Sequence, residues 1–310
     1  MSKQAWMTAL RVAFLIATVI FGWWWLRGDW PQVQEAIATV SPWRAVASVL
    51  TVLAGLLCTG VAWVWILRMY GYAPPRSVSF PVFFVGQLGK YIPGSVWSFG
   101  AQADMARRHG VPIRTTVATG LVFVYWNLAT AAVAGSIALW TGGVDVEFSM
   151  WIAAAAALVA IVAMLPPVVT LVGRRLDRNP SLLAVRWTDV GLLILLMAAT
   201  WIAYGVAMQL LIPASADTTA SVPPATFTGV FAISYILGLL VFFAPAGLGV
   251  REVALTVLLT PWLGTAAATA VALLTRVVHT AADFAIAALA WAIGRIAQSR
   301  QSDRSGPPAP

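Results

Sequence analysis

The stretch GQLGKYIPGSVW, residues 86–97, lies inside an apolar run yet contains residues that membrane helices usually exclude. The run at 78–99 is long enough to enter a bilayer, since a membrane span needs about 20 residues. Pro93 has no backbone N–H and clashes with the preceding turn, so a continuous helix is not expected there. Irregular backbone at membrane depth is tolerated only where it is buried in protein or lines a water-filled cavity. We therefore predict a re-entrant hairpin at 78–99, with Lys90 at or near its tip.

The composition is that of a polytopic membrane protein. Of the 310 residues, 60% are hydrophobic and only 10% are charged, which is far from the composition of a soluble domain. The net charge is +8, but the basic residues lie in short loops and form no continuous face, so we expect no nucleic-acid partner. The single cysteine, Cys58, forms no intrachain disulfide, and no Cys/His cluster has zinc-site spacing. We expect neither a metal nor a cofactor.

The apolar runs predict an all-α fold with about six spans and two broken helical hairpins. The predicted spans are 12–26, 45–67, 115–140, 150–172, 190–212 and 266–293, and the predicted hairpins are 78–99 and 227–263. The second hairpin is interrupted by PAGLGVRE at residues 245–252, and two full spans in its place would leave the termini on the same side. Residues 1–297 are expected to form one transmembrane domain, followed by a disordered cytoplasmic tail at 298–310.

The distribution of basic residues predicts the orientation. On this arrangement 14 Lys and Arg residues lie in loops on one side of the membrane, and two, Arg27 and Arg44, lie on the other. Because cytoplasmic loops carry the excess of basic residues, we expect both termini in the cytoplasm and the chain in the cell (inner) membrane.

The predicted elements follow the same order twice. Two spans, a hairpin and a further span make up residues 1–143, and the same series, starting from the opposite side, makes up residues 148–297. This is the plan of an inverted repeat, in which paired broken helices mark a substrate site near the bilayer midplane. The repeat is inferred from hydropathy and from the positions of the breaks.

Six ionisable side chains remain inside the predicted membrane region. They are Lys90, Arg251, Glu252, Arg276, His279 and Asp283. The last three share one helical face, with spacings of three, four and seven residues. Such residues are costly in a bilayer and are usually functional. The alternative is an internal set of ion pairs that joins helices, with Arg251 or Arg276 bound to Glu252 or Asp283; an Arg276–Asp283 pair within the last span is one form of it.

The two broken segments resemble known motifs. Residues 86–97 are similar to the Gly-Lys-Tyr-Leu-Pro-Gly element of the lysylphosphatidylglycerol synthase transmembrane-region family, a flippase-like membrane domain. Residues 245–252 are similar to that family's Pro-Gly-Gly-Leu-Gly-Val-Arg-Glu element, with Ala246 in place of a glycine. In layout the resemblance covers about residues 1–297. The extramembrane segments are too short to fold as the aminoacyl-transfer domain of the full-length synthases, so we expect a stand-alone membrane domain without lysyl transfer.

The resemblance implies a protein that moves, or helps to move, an anionic or headgroup-modified lipid between leaflets. Stand-alone members are associated with glycan assembly, which implies a phospholipid or a polyprenyl-phosphate-linked glycan as the substrate and a glycosyltransferase as a possible partner.

The chemistry of a phosphate headgroup suggests which residues would bind it. Lys90 and Arg251 would supply positive charge beside free backbone N–H groups at the breaks. The glycines of the two motifs would let backbone approach the headgroup closely. The predicted substrate contacts are thus the six ionisable residues together with Gly89, Pro93, Gly94, Gly247 and Gly249.

Two other functions stay open. One is an integral membrane transferase or hydrolase acting on a lipid-linked sugar, which would need an acid/base pair; Asp145 and Glu147 lie in a predicted external loop, where acidic residues are common. The other is a non-catalytic scaffold that recruits a glycosyltransferase, which predicts that the intramembrane charges tolerate substitution.

Overall fold

The chain is all-helical in the part that the computed structural model describes, residues 30–92, 96–141, 150–177, 185–214, 216, 222–241 and 244–304. The helices are α1 (Trp30–Ala38), α2 (Pro42–Met69), α3 (Arg76–Gln87), a 3₁₀ turn (Leu88–Tyr91), α4 (Trp97–Arg107), α5 (Ile113–Trp140), α6 (Met150–Ala163), α7 (Pro166–Leu176), α8 (Trp187–Leu210), α9 (Pro224–Leu240), a 3₁₀ turn (Pro245–Gly247) and α10 (Val250–Arg304).

Four described helices are long and apolar enough to cross a membrane: α2, α5, α8 and the long C-terminal helix. A fifth span is possible because α6 and α7 pass the same test together, although they meet at a bend of 69°. The bend is where Pro166 begins α7, since proline fits the first turn of a new helix but cannot continue an old one. The predicted first span, 12–26, lies outside the described residues.

The segment that follows α2 is a helical hairpin. Its helices α3 and α4 have 12 and 11 residues, so each is roughly 18 Å long, well short of the hydrocarbon core. They pack antiparallel: Gly86 lies against Gln102, and Gly89 lies against the backbone of Ser98. Lys90 lies in the 3₁₀ turn between the helices, as the sequence predicted for the tip.

The second interrupted segment also reverses direction. The chain leaves α9 at Leu240 and re-enters a helix at Val250, so the helix resumes inside the predicted break of 245–252. Glu252 explains the early restart, because its Oε2 accepts the Gly249 N–H at 2.6 Å and caps the first turn of α10. Arg251 and Glu252 therefore project from a helix.

Helix α10 is itself two antiparallel arms. Gly264 has φ +74° and ψ 160° in its middle, values that a helix cannot contain. Twenty-four residues of straight helix would hold Glu252 and Arg276 about 36 Å apart, yet their side chains are 3.4 Å apart. The chain thus turns back at Gly264, giving a first arm at 250–263 and a second arm at 265–304, in agreement with the predicted boundary between 263 and 266. The second arm ends at Arg304, inside the segment 298–310 that we expected to be a tail.

The second arm packs along the first hairpin. Gly294 lies against Pro81 and the Ser77 carbonyl, while Asp283 meets the turn at the hairpin tip. Arg76 and Arg295 therefore lie at the same end of the helix bundle, as the predicted arrangement of basic loops requires. The outer surface is apolar, with residues such as Trp151, Leu158 and Leu195 exposed, which suits a lipid environment.

Candidate functional site

A cavity of about 390 Å³ lies between the two broken segments. Its wall combines the turn at the tip of the first hairpin, the second break, both arms of α10, and parts of α4, α5, α8 and α9. All six ionisable residues named from the sequence border it: Lys90, Arg251, Glu252, Arg276, His279 and Asp283. The fold thus gathers charges from three separate segments around one space.

Asp283 binds the tip of the first hairpin. Its Oδ2 is 2.6 Å from Lys90 Nζ and accepts a hydrogen bond of 2.7 Å from the Tyr91 hydroxyl. The Tyr91 ring also stacks on Phe284, with centroids 5.6 Å apart. The positive charge of Lys90 is therefore already matched by an acidic partner, and this part of the cavity wall is neutral overall.

Arg276 binds the second break and does not pair with Asp283 of the same helix. Its Nη1 donates to the Ala246 carbonyl at 2.8 Å, and its Nη2 donates to the Pro245 carbonyl at 3.4 Å. The same guanidinium lies 3.4 Å from Glu252. The Arg276–Asp283 pair considered from helical spacing is therefore wrong, because seven residues along the second arm carry these side chains to two different breaks.

Arg251 differs from the other two cations. No carboxylate oxygen of the described residues lies within 4.0 Å of its guanidinium, whereas Lys90 and Arg276 each have one. The guanidinium lies over two aromatic rings, 5.0 Å from the Phe231 centroid and 5.8 Å from the Tyr235 centroid. Cation–π contacts of this kind stabilise the charge without neutralising it.

Glycines make room for the Arg251 side chain. A Cβ built on Gly238 would lie within 3 Å of both Cγ and Cδ of Arg251, and one on Gly247 would lie 2.9 Å from Cδ. Ala246, within the break and next to Gly247, has a left-handed backbone with φ +48°, which costs an alanine about 1–2 kcal/mol. Gly247 of the second motif and Gly238 of α9 thus leave the space that the Arg251 side chain occupies.

His279 lines the cavity and has one buried ring nitrogen without a hydrogen-bond partner. Its Nδ1 is 2.9 Å from the Thr275 carbonyl oxygen, which can only accept, so Nδ1 carries the proton and Nε2 of the neutral ring is an acceptor. The ring lies between Tyr204 and Phe231, with both centroid distances 4.9 Å. Nε2 is buried and has no hydrogen-bond partner.

Comparison with known families agrees with the motifs. The family model of the lysylphosphatidylglycerol synthase TM region matches residues 9–287, a range that includes both breaks and every described residue that lines the cavity. The chain belongs to the lysylphosphatidylglycerol synthase transmembrane-region family. The predicted resemblance is confirmed, and membership indicates a multi-pass membrane protein with a lipid-related function. A comparison with curated proteins found no match.

The other predicted site residues of this family member fall in different places. Gly247 borders the cavity, and Gly249 donates its N–H to Glu252. Gly89 is buried against α4, where a Cβ would lie 2.5 Å from the Ser98 nitrogen, so it permits close packing of the hairpin. Pro93 and Gly94 lie outside the described residues. No group of three or more potential metal ligands occurs in the part of the chain that the structure describes.

Tyr91 and Gly238 are two examples of residues that matter to the site but were not predicted from the sequence. Tyr91 belongs to the first motif but was given no role, although a tyrosine beside an intramembrane lysine could have suggested a hydrogen bond to the same acid. Gly238 lies in an apolar helix outside either motif, and its contact with Arg251 had no sequence signal.

Proposed function

We propose that this protein moves a phosphate-bearing lipid, a phospholipid or a polyprenyl-phosphate-linked glycan, between the leaflets of the cell membrane. The observation that carries the proposal is Arg251, a cation without an anionic partner among the described residues, at the wall of a 390 Å³ cavity. A volume in the range of small-molecule sites is enough to receive a lipid headgroup.

The charges around the cavity support an anionic substrate. Lys90 is paired with Asp283, and Arg276 is paired with Glu252. Among the described residues that border the cavity, with His279 in its neutral form, one positive charge, that of Arg251, is left without compensation. An isolated ion in a low-dielectric medium faces an idealised cost of tens of kcal/mol, and a fixed cation inside a polar cavity lowers that cost for a phosphate but raises it for a cation.

The apolar part of the cavity wall supports a lipid over a soluble anion. Leu121 of α5 and Leu239 of α9 line the cavity, and each keeps more than a third of its surface exposed, 39% and 37%. The cavity thus has an apolar edge at the outer surface of the helix bundle. Acyl or prenyl chains could remain in the bilayer there while the headgroup occupies the cavity.

With this transport function we propose an inverted repeat and alternating access. The order of the described elements supports both. A long helix, a broken hairpin and a further helix appear in each half of the chain, and the two breaks lie side by side. Paired breaks of this kind surround the substrate in repeat-based transporters. On this proposal both termini are cytoplasmic, and a glycosyltransferase would act on lipid delivered to one leaflet.

Reconstitution tests the proposal directly. The purified chain is placed in liposomes that carry tail-labelled phosphatidylglycerol in both leaflets, and an impermeant reductant bleaches the outer label. Movement between leaflets appears as bleaching beyond the outer-leaflet fraction. A correctly inserted, monodisperse protein that bleaches no more than protein-free liposomes, for this lipid and for a labelled polyprenyl phosphate, would exclude the proposed transport and favour the scaffold.

A further inference from the structure

Helix α7 turns away from the direction of α6. Near one end of α6, the Ser136 hydroxyl of α5 donates to the Ala153 carbonyl. Near its other end, the Tyr125 hydroxyl of α5 donates to the Ala163 carbonyl, so α6 runs antiparallel along α5, which is a candidate span. Because α6 thus follows the direction of a span, α7, at 69° to it, lies closer to the membrane plane than to the membrane normal. This is the orientation of an interfacial helix.

The inner face of α7 is attached to other segments at the basic end of the helix bundle. The Tyr70 hydroxyl, just beyond the end of α2, donates to the Gly173 carbonyl at 3.3 Å. Arg114 Nε, at the start of α5, donates to the Leu176 carbonyl at 3.3 Å. Both α2 and α5 have basic residues at these ends. Helix α7 is therefore held at the membrane boundary on the side where the basic loops lie.

The outer face of α7 is apolar at its start and basic at its end. Pro167 and Leu171 are exposed, and so are Arg174 and Arg175 in the last turn. Steps of three or four residues separate Leu171 from the other three, so the four side chains share one side of the helix. Such a face contacts acyl chains with its apolar part, while the long arginine side chains extend to the level of the headgroups.

Arg174 and Arg175 lack an acidic partner in the described part of the chain, where no ion pair joins either of them to a carboxylate. The acid that follows them, Asp177, is buried and accepts a hydrogen bond of 2.7 Å from Thr115. Two positive charges therefore remain at the exposed end of α7. Arginines in this position are attracted to the phosphate groups of an anionic membrane surface.

We propose that the outer face of α7, residues 167–175, is a docking surface for anionic phospholipids of the adjoining leaflet. The phosphates pair with Arg174 and Arg175, and the acyl chains cover Leu171. No described residue of α7 lines the cavity, so this surface is separate from it. The lipid is held by its charge and not by the rest of its headgroup. It stays at the boundary of the protein, and its binding does not depend on the proposed transport.

Local quenching tests the proposal in the whole chain. Leu171→Cys, in a background with Cys58 removed, carries a fluorophore in bilayers that contain brominated phosphatidylglycerol or brominated phosphatidylcholine. We expect phosphatidylglycerol to be enriched around the label by about fivefold or more, since each arginine near an anionic surface contributes about fivefold. The enrichment should fall when salt is raised from about 0.1 M to about 1 M. Equal quenching by the two lipids at low salt would overturn the proposal.

Two double variants locate the enrichment. Arg174→Gln combined with Arg175→Gln should abolish it. Arg107→Gln combined with Arg108→Gln removes the same number of charges from α4, where Asp104 lies 3.0 Å from both arginines, and should leave it unchanged. Enrichment that survives the first pair would mean that Arg174 and Arg175 serve only the carboxyl end of α7. Equal loss in both pairs would mean that the total charge of this end attracts the lipid. Either result would contradict the proposal.

Two further comparisons separate this surface from the cavity. Brominated phosphatidic acid and phosphatidylserine should be enriched as phosphatidylglycerol is, and enrichment confined to one headgroup would contradict a surface that reads charge alone. Arg251→Met, which removes the charge of the cavity wall, should keep the enrichment at position 171. Loss of enrichment in Arg251→Met would assign the signal to the cavity and overturn the proposal.

Discussion

Lys90 and Asp283 form a 2.6 Å ion pair, which joins the tip of the first hairpin to the second arm of α10. Two helical turns away on the same arm, Arg276 binds the carbonyls of the second break. One helix therefore holds both breaks at the cavity. Of these three cations, Lys90 and Arg276 each have a carboxylate partner, and Arg251 is the one that we propose for binding a substrate.

The first prediction concerns the Lys90–Asp283 pair. Asp283→Asn keeps an acceptor for Tyr91 but removes the negative charge, leaving Lys90 unmatched with its side chain only 33% exposed. We expect the free energy of unfolding to fall by about 3 kcal/mol, the lower end of the range for a broken buried pair. A lower melting temperature of the purified protein in detergent would show this destabilisation.

An exposed pair on the same hairpin gives the control. Asp104 lies 3.0 Å from both Arg107 and Arg108, with half of its side chain exposed. Because exposed pairs contribute about 0–1 kcal/mol, Asp104→Asn should change the melting temperature little. Equal effects of the two substitutions would mean that the Lys90–Asp283 pair does not organise the fold.

The second prediction concerns the left-handed backbone at Ala246. Its φ of +48° strains an alanine but not a glycine, so Ala246→Gly should stabilise the protein by about 1 kcal/mol. Ala103→Gly in the middle of α4 should instead destabilise the protein, since glycine weakens a helix interior by a similar amount. Thermal unfolding compares the two, and destabilisation by both would show that position 246 is unstrained.

The third prediction concerns the slot that holds Arg251. Gly238→Ala places a methyl group against Cγ and Cδ of Arg251 and should displace the guanidinium. Lipid movement should fall while the protein remains monodisperse. Gly100→Ala is the matched control, because nothing lies within 4 Å of a Cβ at that position of α4. If Gly238→Ala transported at the rate of Gly100→Ala, the position of Arg251 in the slot would not matter for transport.

The fourth prediction concerns the topology of the first hairpin. Cysteines placed singly at positions 76 and 108, in a background with Cys58 removed, should both resist an impermeant thiol reagent added outside the cell. A cysteine at Thr141, at the far end of α5, should react. Labelling of one hairpin end but not the other would make the segment a full span and remove the basis for an inverted repeat.

Much of the layout followed from the sequence because it depends on local chemistry. Proline and glycine lie close together at the two breaks, and a glycine lies at the boundary near 264, so these interruptions were predictable, although single prolines such as Pro81 and Pro261 lie inside helices. Ion-pair partners were not. Helical spacing puts Arg276 and Asp283 on one face, but it cannot show that each lies opposite a different break. Whether Arg251 has a carboxylate partner likewise depends on which carboxylates pair with Lys90 and Arg276. Only the tertiary arrangement decides this pairing.

The central claim is that Arg251 binds the phosphate of a moving lipid. The most direct measurement is the rate at which liposome-reconstituted variants move tail-labelled phosphatidylglycerol between leaflets. Arg251→Met retains a long side chain for the space between Gly238 and Gly247 but has no charge, and Arg68→Met removes the charge of an exposed residue in the last turn of α2. We predict that Arg251→Met lowers the rate by about tenfold or more, from loss of a charged hydrogen bond, and that Arg68→Met keeps the parent rate. A monodisperse Arg251→Met protein that moves lipid as fast as the parent would contradict the account.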